Sequence, residues 1–444
     1  MDYRISDHFT MKKMAAFTFM PILTIFLCSV YTIVDGLFVS NFCRETAFAG
    51  MNISAAYTFL FASFGYMIGE GGCALLGKYF GENKNREAKE LFSLLIMFSI
   101  VLGVILSLIA FFTLDAFLHA QGAKAELFLE ARAYGRILIL GFPAYILQFA
   151  FQQFLVAADK PQMGVAFALI AGVVNIGFDA LFIVYFEIGV RGAAIATVLG
   201  QITGVIVPLI YILGNKEFPL KIVRFSIRGQ LKDLLKVCAN GSSEMLSNVA
   251  AQVVSILYNS VLVMLSGVEG VSAYSVLLYV TMIFSCVFMG YDMGVIPIVA
   301  YNFGAKNQDE LRNVRKQSQK LIFIYSITLI ILANILATPI CSAFVGYNSK
   351  ILQMSIIGIR IMSAGYLVTG YNLFGSALFT GLNNGGISAF LSGVRTFVLP
   401  IICLYIFSWL FGMNGVWYSL PVTEILAFII TFITIKVNKK HYAY

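Results

Sequence analysis

Four polar side chains in otherwise apolar stretches have the types and spacing to bind a small cation: Asp35, Asn175, Asp179 and Thr197. Asn175 and Asp179 are four residues apart, which places them on one face of a helix, about 6 Å apart along its axis. Asp35, Asp179 and Thr197 lie at a similar depth, roughly 7–12 Å below the outer surface. Two carboxylates, an amide and a hydroxyl are hard oxygen ligands, so we expect H⁺ or Na⁺ rather than zinc or copper.

Further acids lie within apolar runs, and each has a structural alternative. A lone Asp near a helix end is commonly a solvated cap, an alternative that applies to Asp35 taken by itself. Glu70 and Asp292 stand beside the glycine-rich stretches GEGG and GYDMG, where they could satisfy backbone groups at helix distortions. Glu244 could face a central cleft or pair with a nearby lysine, and Glu424 has no assigned role.

The elements that hold these residues must be membrane-spanning helices. Hydrophobic residues make up 59% of the 444 residues and charged residues only 12%, with a mean hydropathy of +0.87. A soluble domain would carry roughly twice that charge. Twelve apolar runs are long enough to cross a bilayer, which takes about 20 residues each. The fold class predicted is therefore an all-α membrane protein with twelve transmembrane helices.

The second half of the chain repeats the first. Gly71 and Gly81 match Gly294 and Gly304 at an offset of 223 residues, and Gly189 matches Gly412 at the same offset. Such register over more than a hundred residues indicates a duplication of six spans. Since six is even, both halves enter the membrane from the same side, and a pseudo-two-fold axis along the membrane normal relates two six-helix lobes.

The repeat sets the expected domains and a central cleft. We expect an N-terminal lobe at 1–214, a basic cytoplasmic linker at 215–236, forming an interfacial helix or strap, and a C-terminal lobe at 237–444. The positions matching the four cation-binding residues are Tyr258, Val398, Ile402 and Leu420, so coupling is expected in the N-terminal lobe only. The residues predicted to line a cleft for substrate are Gln152, Gln153, Glu244 and Tyr258.

Basic residues predict the orientation. With both termini inside, the cytoplasmic segments hold 22 Lys and Arg and the opposite loops hold six, leaving Arg360 and Arg395 within spans. This is a positive-inside bias, so the net charge of +8 reflects topology and no nucleic-acid partner is expected. The first apolar run is too long for a signal peptide. The seven cysteines show no CxxC pair, and we assign them no disulfide or metal role.

Several motifs resemble one family of transporters. The stretches VDGLFVSNF (34–42), GEGGCALLGKYFGENKN (69–85) and GMNGVWYSLPVTE (412–424), with Asn175, Asp179 and Thr197, are similar to the multidrug and toxin extrusion (MATE) family. The likeness covers nearly the whole chain and is closest to its prokaryotic DNA-damage-inducible protein F-like branch. Members of that branch have a cation site in the N-lobe, and the resemblance implies that Asp35, Asn175, Asp179 and Thr197 are its residues in this chain. Two departures are Arg44 with Glu45, where members usually carry a Gly, and Ala56 in place of a Pro.

The resemblance implies a secondary active transporter and not an enzyme. Na⁺ or H⁺ would move inward while an amphipathic, often cationic compound is exported by alternating access, with helix 1 bending near Pro21. We expect a monomer in the cell (inner) membrane, with membrane lipid and small organic substrates as partners and no cofactor. The alternative is a flippase for a lipid-linked saccharide, which would favour fourteen spans and a cationic cleft. No HExxH motif supports an intramembrane enzyme.

Overall fold

The computed structural model describes residues 3–346 and 348–442, and 89% of the chain is helical. Several helices are bent or broken within one crossing, so thirteen helical segments form twelve spans in two lobes. The N-lobe comprises α1 Met11–Phe42, α2 Glu45–Gly81, α3 Asn85–Ala120, α4 Ala125–Leu140, α5 Phe142–Ala157, α6 Pro161–Asp179 and α7 Val190–Gly214. The C-lobe comprises α8 Ile227–Gly304, α9 Gln308–Val345, α10 Ser349–Ser363, α11 Tyr366–Gly381, α12 Gly385–Gly393 and α13 Leu399–Tyr442.

Two long helices each contain two spans. α8 turns back at Gly267 and α13 at Gly412, where φ is +61° and +58°. These are left-handed conformations that glycine adopts without a Cβ clash. Gly189, the repeat partner of Gly412, has φ +67° before α7. Arg44, 223 residues before Gly267, instead has an extended backbone with φ −72°, so the missing glycine leaves no strain there.

Short π-helical stretches interrupt one span in each lobe, but at different points. In the N-lobe the π-helix Ala180–Tyr185 follows α6, and in the C-lobe Val394–Val398 follows α12. Two other spans are bent pairs, α4 with α5 at 56° and α10 with α11 at 54°. A π-helical turn adds a residue to the helix and rotates everything after it, so the two lobes are not identical in register.

The two membrane faces differ in charge. One face, here called the basic face, carries both described chain ends and the loops at 82–84, 158–160, 215–226, 305–307 and 382–384. Residues 215–226 are not helical, and they cross this face to join the lobes. Val223 N–H donates to Ser93 Oγ at 2.8 Å, which holds the connection against α3.

Backbone contacts at glycines close the basic half of the lobe interface. A Cβ at Gly71 or Gly241 would overlap the carbonyl of Val237 or Met67 across the interface. A Cβ at Gly81 would likewise overlap the carbonyl of Tyr301. A side chain has no room at these positions, so α2 and the two halves of α8 approach more closely than helices carrying larger residues would.

The N-terminal segment, residues 3–10, adds polar contacts between the lobes on the basic face. Ile5 N–H donates to Asp159 Oδ1 of the N-lobe at 2.6 Å. On the C-lobe side, Phe9 N–H donates to Glu310 Oε1 at 2.9 Å, and His8 Nδ1 lies 2.6 Å from Glu310 Oε2. Between described residues, the interlobe hydrogen bond nearest the opposite face is Ser29 with Cys286. The lobes are thus joined by backbone and polar contacts at the basic face.

Candidate functional site

The two predicted aspartates meet inside the N-lobe. Asp35 of α1 is 6% exposed and Asp179 at the end of α6 is fully buried. They are close enough to interact electrostatically. Asn175, one turn before Asp179, is 3% exposed. The π-helical stretch begins directly after Asp179, at a kind of interruption that is frequent at functional sites.

Thr197 completes the set from α7. Its hydroxyl donates to the Ala193 carbonyl at 2.9 Å, leaving oxygen lone pairs for another ligand. Gly200, three residues on, lets α6 approach, because a Cβ there would stand 3.0 Å from Asn175 Cβ. The structure therefore brings together all four residues that the sequence predicts for the cation site.

A cavity of about 180 Å³ opens beside this cluster and is lined by Asp35, Asn175 and Thr197. Sequence reasoning missed several other polar residues that line it, among them Tyr134 of α4 and Gln201 of α7. Tyr134 lies beside both aspartates and Thr197. Gln201 is four residues after Thr197, a helical spacing that could have identified it, whereas a tyrosine in an apolar helix gives no signal of its own.

The buried polar atoms of the cluster lack protein partners. Within the described part of the chain, Asp35 Oδ1, both side-chain atoms of Asn175 and both carboxylate oxygens of Asp179 are buried without a hydrogen bond. Leaving such groups unpaired costs about 1–3 kcal/mol each, and more when they are charged. Two ionised carboxylates this close also repel each other. A proton or a small cation with oxygen ligands would relieve both penalties.

The matching place in the C-lobe is filled by a pair of tyrosines. Tyr258, predicted to line the substrate cleft, is instead 1% exposed inside this lobe. Its ring stacks on Tyr274 at 5.3 Å, and its hydroxyl lies 2.7 Å from Ser419 Oγ. Val398 and Ile402 are 44% and 48% exposed, so they do not point into the lobe at all. In the C-lobe the π-helical turn ends at Val398, whereas in the N-lobe it begins after Asp179. Residues that are matched at the fixed offset of 223 therefore face in different directions in the two lobes.

The other predicted cleft residues are divided between two environments. Gln152 is 8% exposed and donates to Cys28 Sγ at 3.6 Å, and Gln153 is 7% exposed and packs against Gly69. Both are buried among N-lobe helices and do not face an open cleft in this arrangement. Glu244 is half-buried at the lobe interface, so it alone of the predicted set is both interfacial and partly accessible.

Glu244 belongs to a group of three acids from both lobes. Glu70 of α2 and Asp292 in the second half of α8 interact electrostatically with it, and they are 9% and 7% exposed. Sequence reasoning had left Glu70 and Asp292 as candidates for local backbone contacts. Both stand within two residues of the repeated glycines Gly71 and Gly294, where the lobes touch. Their position beside these repeated glycines could have indicated, from the sequence alone, that the two acids lie together at the lobe interface.

A half-buried ion pair lies beyond this group in the C-lobe. Arg395 donates to both oxygens of Glu424, with Nε–Oε2 at 3.0 Å and Nη2–Oε1 at 2.9 Å. Asn372 also donates to Glu424 Oε2, at 2.7 Å. The bidentate geometry neutralises Arg395, one of the two arginines within spans. The other, Arg360, is exposed. Among residues 3–346 and 348–442, no three His, Cys, Asp or Glu side chains are grouped to hold a metal ion.

Comparison with known proteins agrees with this architecture. The family model described as MatE matches residues 21–181 and 245–406, one stretch in each lobe. The multidrug export protein MepA of Staphylococcus saprophyticus is 24% identical over 422 residues, covering 93% of this chain and 90% of its own length. MepA of Staphylococcus aureus strain MRSA252 is 23% identical over 429 residues, covering 94% of this chain and 91% of that protein.

Solved structures share the fold. An outward-facing multidrug resistance MATE family transporter of the MOP superfamily superposes with a TM-score of 0.92 at 21% identity, covering 98% of this chain and 97% of that one. A MATE crystal structure in complex with MaL6 gives a TM-score of 0.93 at 20% identity, with 98% of each chain covered.

Fold and site together define a multi-pass, two-lobed membrane transporter rather than an enzyme. Because the family model matches most of the sequence, once in each lobe, the chain belongs to the MatE family.

Proposed function

We propose that this protein is a multidrug exporter that couples the entry of H⁺ or Na⁺ to the export of amphipathic, often cationic compounds. The curated MepA relatives are multidrug export proteins. The observation that carries the coupling proposal is the cluster of Asp35, Asn175 and Asp179, whose buried polar atoms have no protein partner and lie beside a cavity. Thr197 supplies a fourth ligand, and no cofactor takes part.

Coupling requires that the ion and the substrate favour different arrangements of the lobes. An ion can shift the equilibrium only by the difference in its affinity for the two arrangements. Asp35 is on α1, which packs against α8 of the other lobe at Gly290 and Gly294. A cation that draws Asp35 and Asp179 together would therefore act on a helix that touches both lobes. Pro21 in α1 is the expected hinge.

We further propose that the basic face is cytoplasmic, with both termini inside, and that the protein acts as a monomer in the cell membrane. The excess of Lys and Arg on this face supports that orientation. With the basic face sealed, the described arrangement would be open to the outside, where the coupling ion enters.

The acids at the lobe interface fit a cationic substrate. Glu70, Glu244 and Asp292 lie where the floor of the cleft would be, and they favour positive charge. The alternative of a flippase for a lipid-linked saccharide calls for a cationic cleft that attracts phosphate. Arg395 is already paired with Glu424, so the interface offers little such attraction.

Export by inverted membrane vesicles, with a pH gradient and a Na⁺ gradient imposed separately, tests this function. We expect Asp35→Asn and Asp179→Asn to lose gradient-driven export by at least tenfold, because each keeps volume and removes a charge. Asn175→Ala and Thr197→Ala should lose less, since each deletes one neutral ligand. Asp115→Asn is the matched control, since Asp115 lies outside the cavity and pairs with Arg132.

Wild-type export by both Asp35→Asn and Asp179→Asn would remove the coupling role of the cluster. Glu244 provides the competing outcome. If Glu244→Gln abolished proton-driven export while the two Asp variants retained it, the coupling site would lie at the lobe interface instead of in the N-lobe.

A further inference from the structure

A groove in the C-lobe opens at the basic face, away from the cation site and the lobe interface. It has a volume of about 260 Å³ and lies between α9, α11 and α13. Its walls are aromatic, with Tyr371 packed edge-on against Phe428 at 5.8 Å and Phe428 against Phe432 at 6.2 Å. Phe432 is 56% exposed, so the apolar wall continues onto the lipid-facing surface.

The end of this C-lobe groove at the basic face is rimmed by positive charge. Arg315 of α9 stands on one side, and Lys436 and Lys439 of α13 stand on the other. The nearest acids of α9 have other partners: Asp309 accepts from Arg312, and Glu310 accepts from the N-terminal segment. On α13 the last acid is Glu424, which is paired with Arg395. Among the described residues that line the groove, the rim carries basic side chains and no acidic one.

The repeat shows that the charge of this groove is not a general result of the fold. At an offset of 223 residues, Arg315 corresponds to Phe92 and Lys436 to Leu213. Phe92 is fully buried, with its ring 5.7 Å from that of Phe154. The second repeat thus has basic residues where the first has apolar side chains.

Positive-inside bias explains lysines on this face but not their place around a cavity. Exposed lysines of a cytoplasmic loop need no apolar groove beside them, whereas these lysines stand at the end of an aromatic groove. A ligand that is anionic at one end and apolar at the other fits both observations. At this depth in a membrane, such a ligand is a phospholipid.

We propose that the C-lobe groove binds an anionic phospholipid from the leaflet at the basic face. Its phosphate lies among Arg315, Lys436 and Lys439, where a guanidinium and two ammonium groups donate charge-assisted hydrogen bonds. One acyl chain follows Phe428 and Phe432 into the surrounding bilayer. The lipid packs α9 against α13 at the outer edge of the C-lobe, independently of the transported ion and substrate.

Lipid binding by the purified, delipidated protein tests this site. Native mass spectrometry and thermal unfolding would be followed while phosphatidylglycerol or phosphatidylcholine is added in the same detergent. We expect wild type to retain and be stabilised by phosphatidylglycerol, and Lys436→Gln/Lys439→Gln to bind it roughly 10- to 30-fold more weakly. Both lysines are exposed, so this variant should fold.

The matched control is Lys232→Gln/Lys306→Gln, which removes the same charge from exposed sites on the same face outside the groove. It should bind phosphatidylglycerol as wild type does. Equal weakening by both double variants would mean that only the overall surface charge matters, and it would overturn the proposal. Displacement of phosphatidylglycerol by millimolar inorganic phosphate would also overturn it, since a free anion would then suffice. Loss of lipid binding with unchanged export in vesicles would support the site while leaving the transport function untouched.

Discussion

Glu310 should hold the lobes together at the basic face, because its carboxylate is shared between α9 and the N-terminal segment. Glu310 is 7% exposed and accepts hydrogen bonds from Phe9 N–H, His8 and Asn313. The bond from Asn313 lies within α9 and survives any lobe movement. The bonds from Phe9 and His8 must break when the basic face opens. Replacing Glu310 with Ala should therefore favour the arrangement that is open at this face.

The size of the effect follows from those two bonds. A hydrogen bond from the Phe9 backbone to a buried carboxylate contributes about 1.5–3 kcal/mol. The His8 side chain is 69% exposed, so its bond contributes at most about 1 kcal/mol. A loss of about 2–4 kcal/mol changes the ratio of the two arrangements by roughly 30- to 700-fold. Asn313→Ala should change this ratio less, because it removes only one neutral hydrogen bond between the lobes, the one from Asn313 to the Phe9 carbonyl.

Distance measurement between two spin labels would read out this shift. Cysteines at Glu87 of α3 and Lys316 of α9, both exposed on the basic face, would carry the labels in a chain whose native cysteines are replaced. We expect Glu310→Ala to add or enlarge a long-distance population. Asp309→Ala is the control, because Asp309 is 95% exposed and pairs only locally with Arg312. A ratio that changes less than threefold, or an equal change with Asp309→Ala, would refute the reasoning.

Two further predictions address the site and the N-terminal segment. Gly200→Ala should impair coupled export, because its Cβ would press on Asn175. Gly177→Ala on α6, the helix of Asn175, should not, because a Cβ there meets open space, and equal export rates of the two variants would contradict this. Burial raises the pKa of Asp159 to about 6, although the hydrogen bond from Ile5 N–H opposes this. The folded protein then binds more protons than the unfolded chain between about pH 4 and 6, so this group's contribution to stability is lost as pH rises through about 6. The unfolding temperature in detergent should fall as pH rises through this range, and Asp159→Asn should remove that fall. An unchanged pH dependence in Asp159→Asn would show that Asp159 is not its source.

The sequence was sufficient for the architecture and for the grouping of the four polar residues in the N-lobe, for physical reasons. A carboxylate in a membrane span is costly enough to stand out, and helical spacing then pairs Asn175 with Asp179. Tyr134 was missed because a neutral aromatic residue in an apolar helix looks like ordinary packing. Tyr258 was assigned to the cleft, whereas it packs inside the C-lobe. Its position in an apolar helix does not reveal which side of that helix faces the cleft.

The contacts of the N-terminal segment also lay beyond sequence reasoning. Phe9 and Glu310 are about 300 residues apart, and residues 3–10 are too short and too polar to show any periodicity. Only the assembled lobes place Glu310 beside the Phe9 amide. Local patterns report which residues are buried, but pairings of this length depend on the tertiary structure.

The glycine contacts between the lobes have an evolutionary consequence. Gly81 of the first repeat meets the backbone at Tyr301 of the second, and its repeat partner Gly304 meets the backbone at Lys78 of the first. Each lobe thus offers the other the same surface, which is the definition of an isologous interface. Two identical six-helix chains could have formed this seal as a homodimer, with no need for a covalent link. Once the two halves are joined in one chain, each can change separately, as the aspartate pair of the N-lobe and the tyrosine pair in the matching place of the C-lobe illustrate.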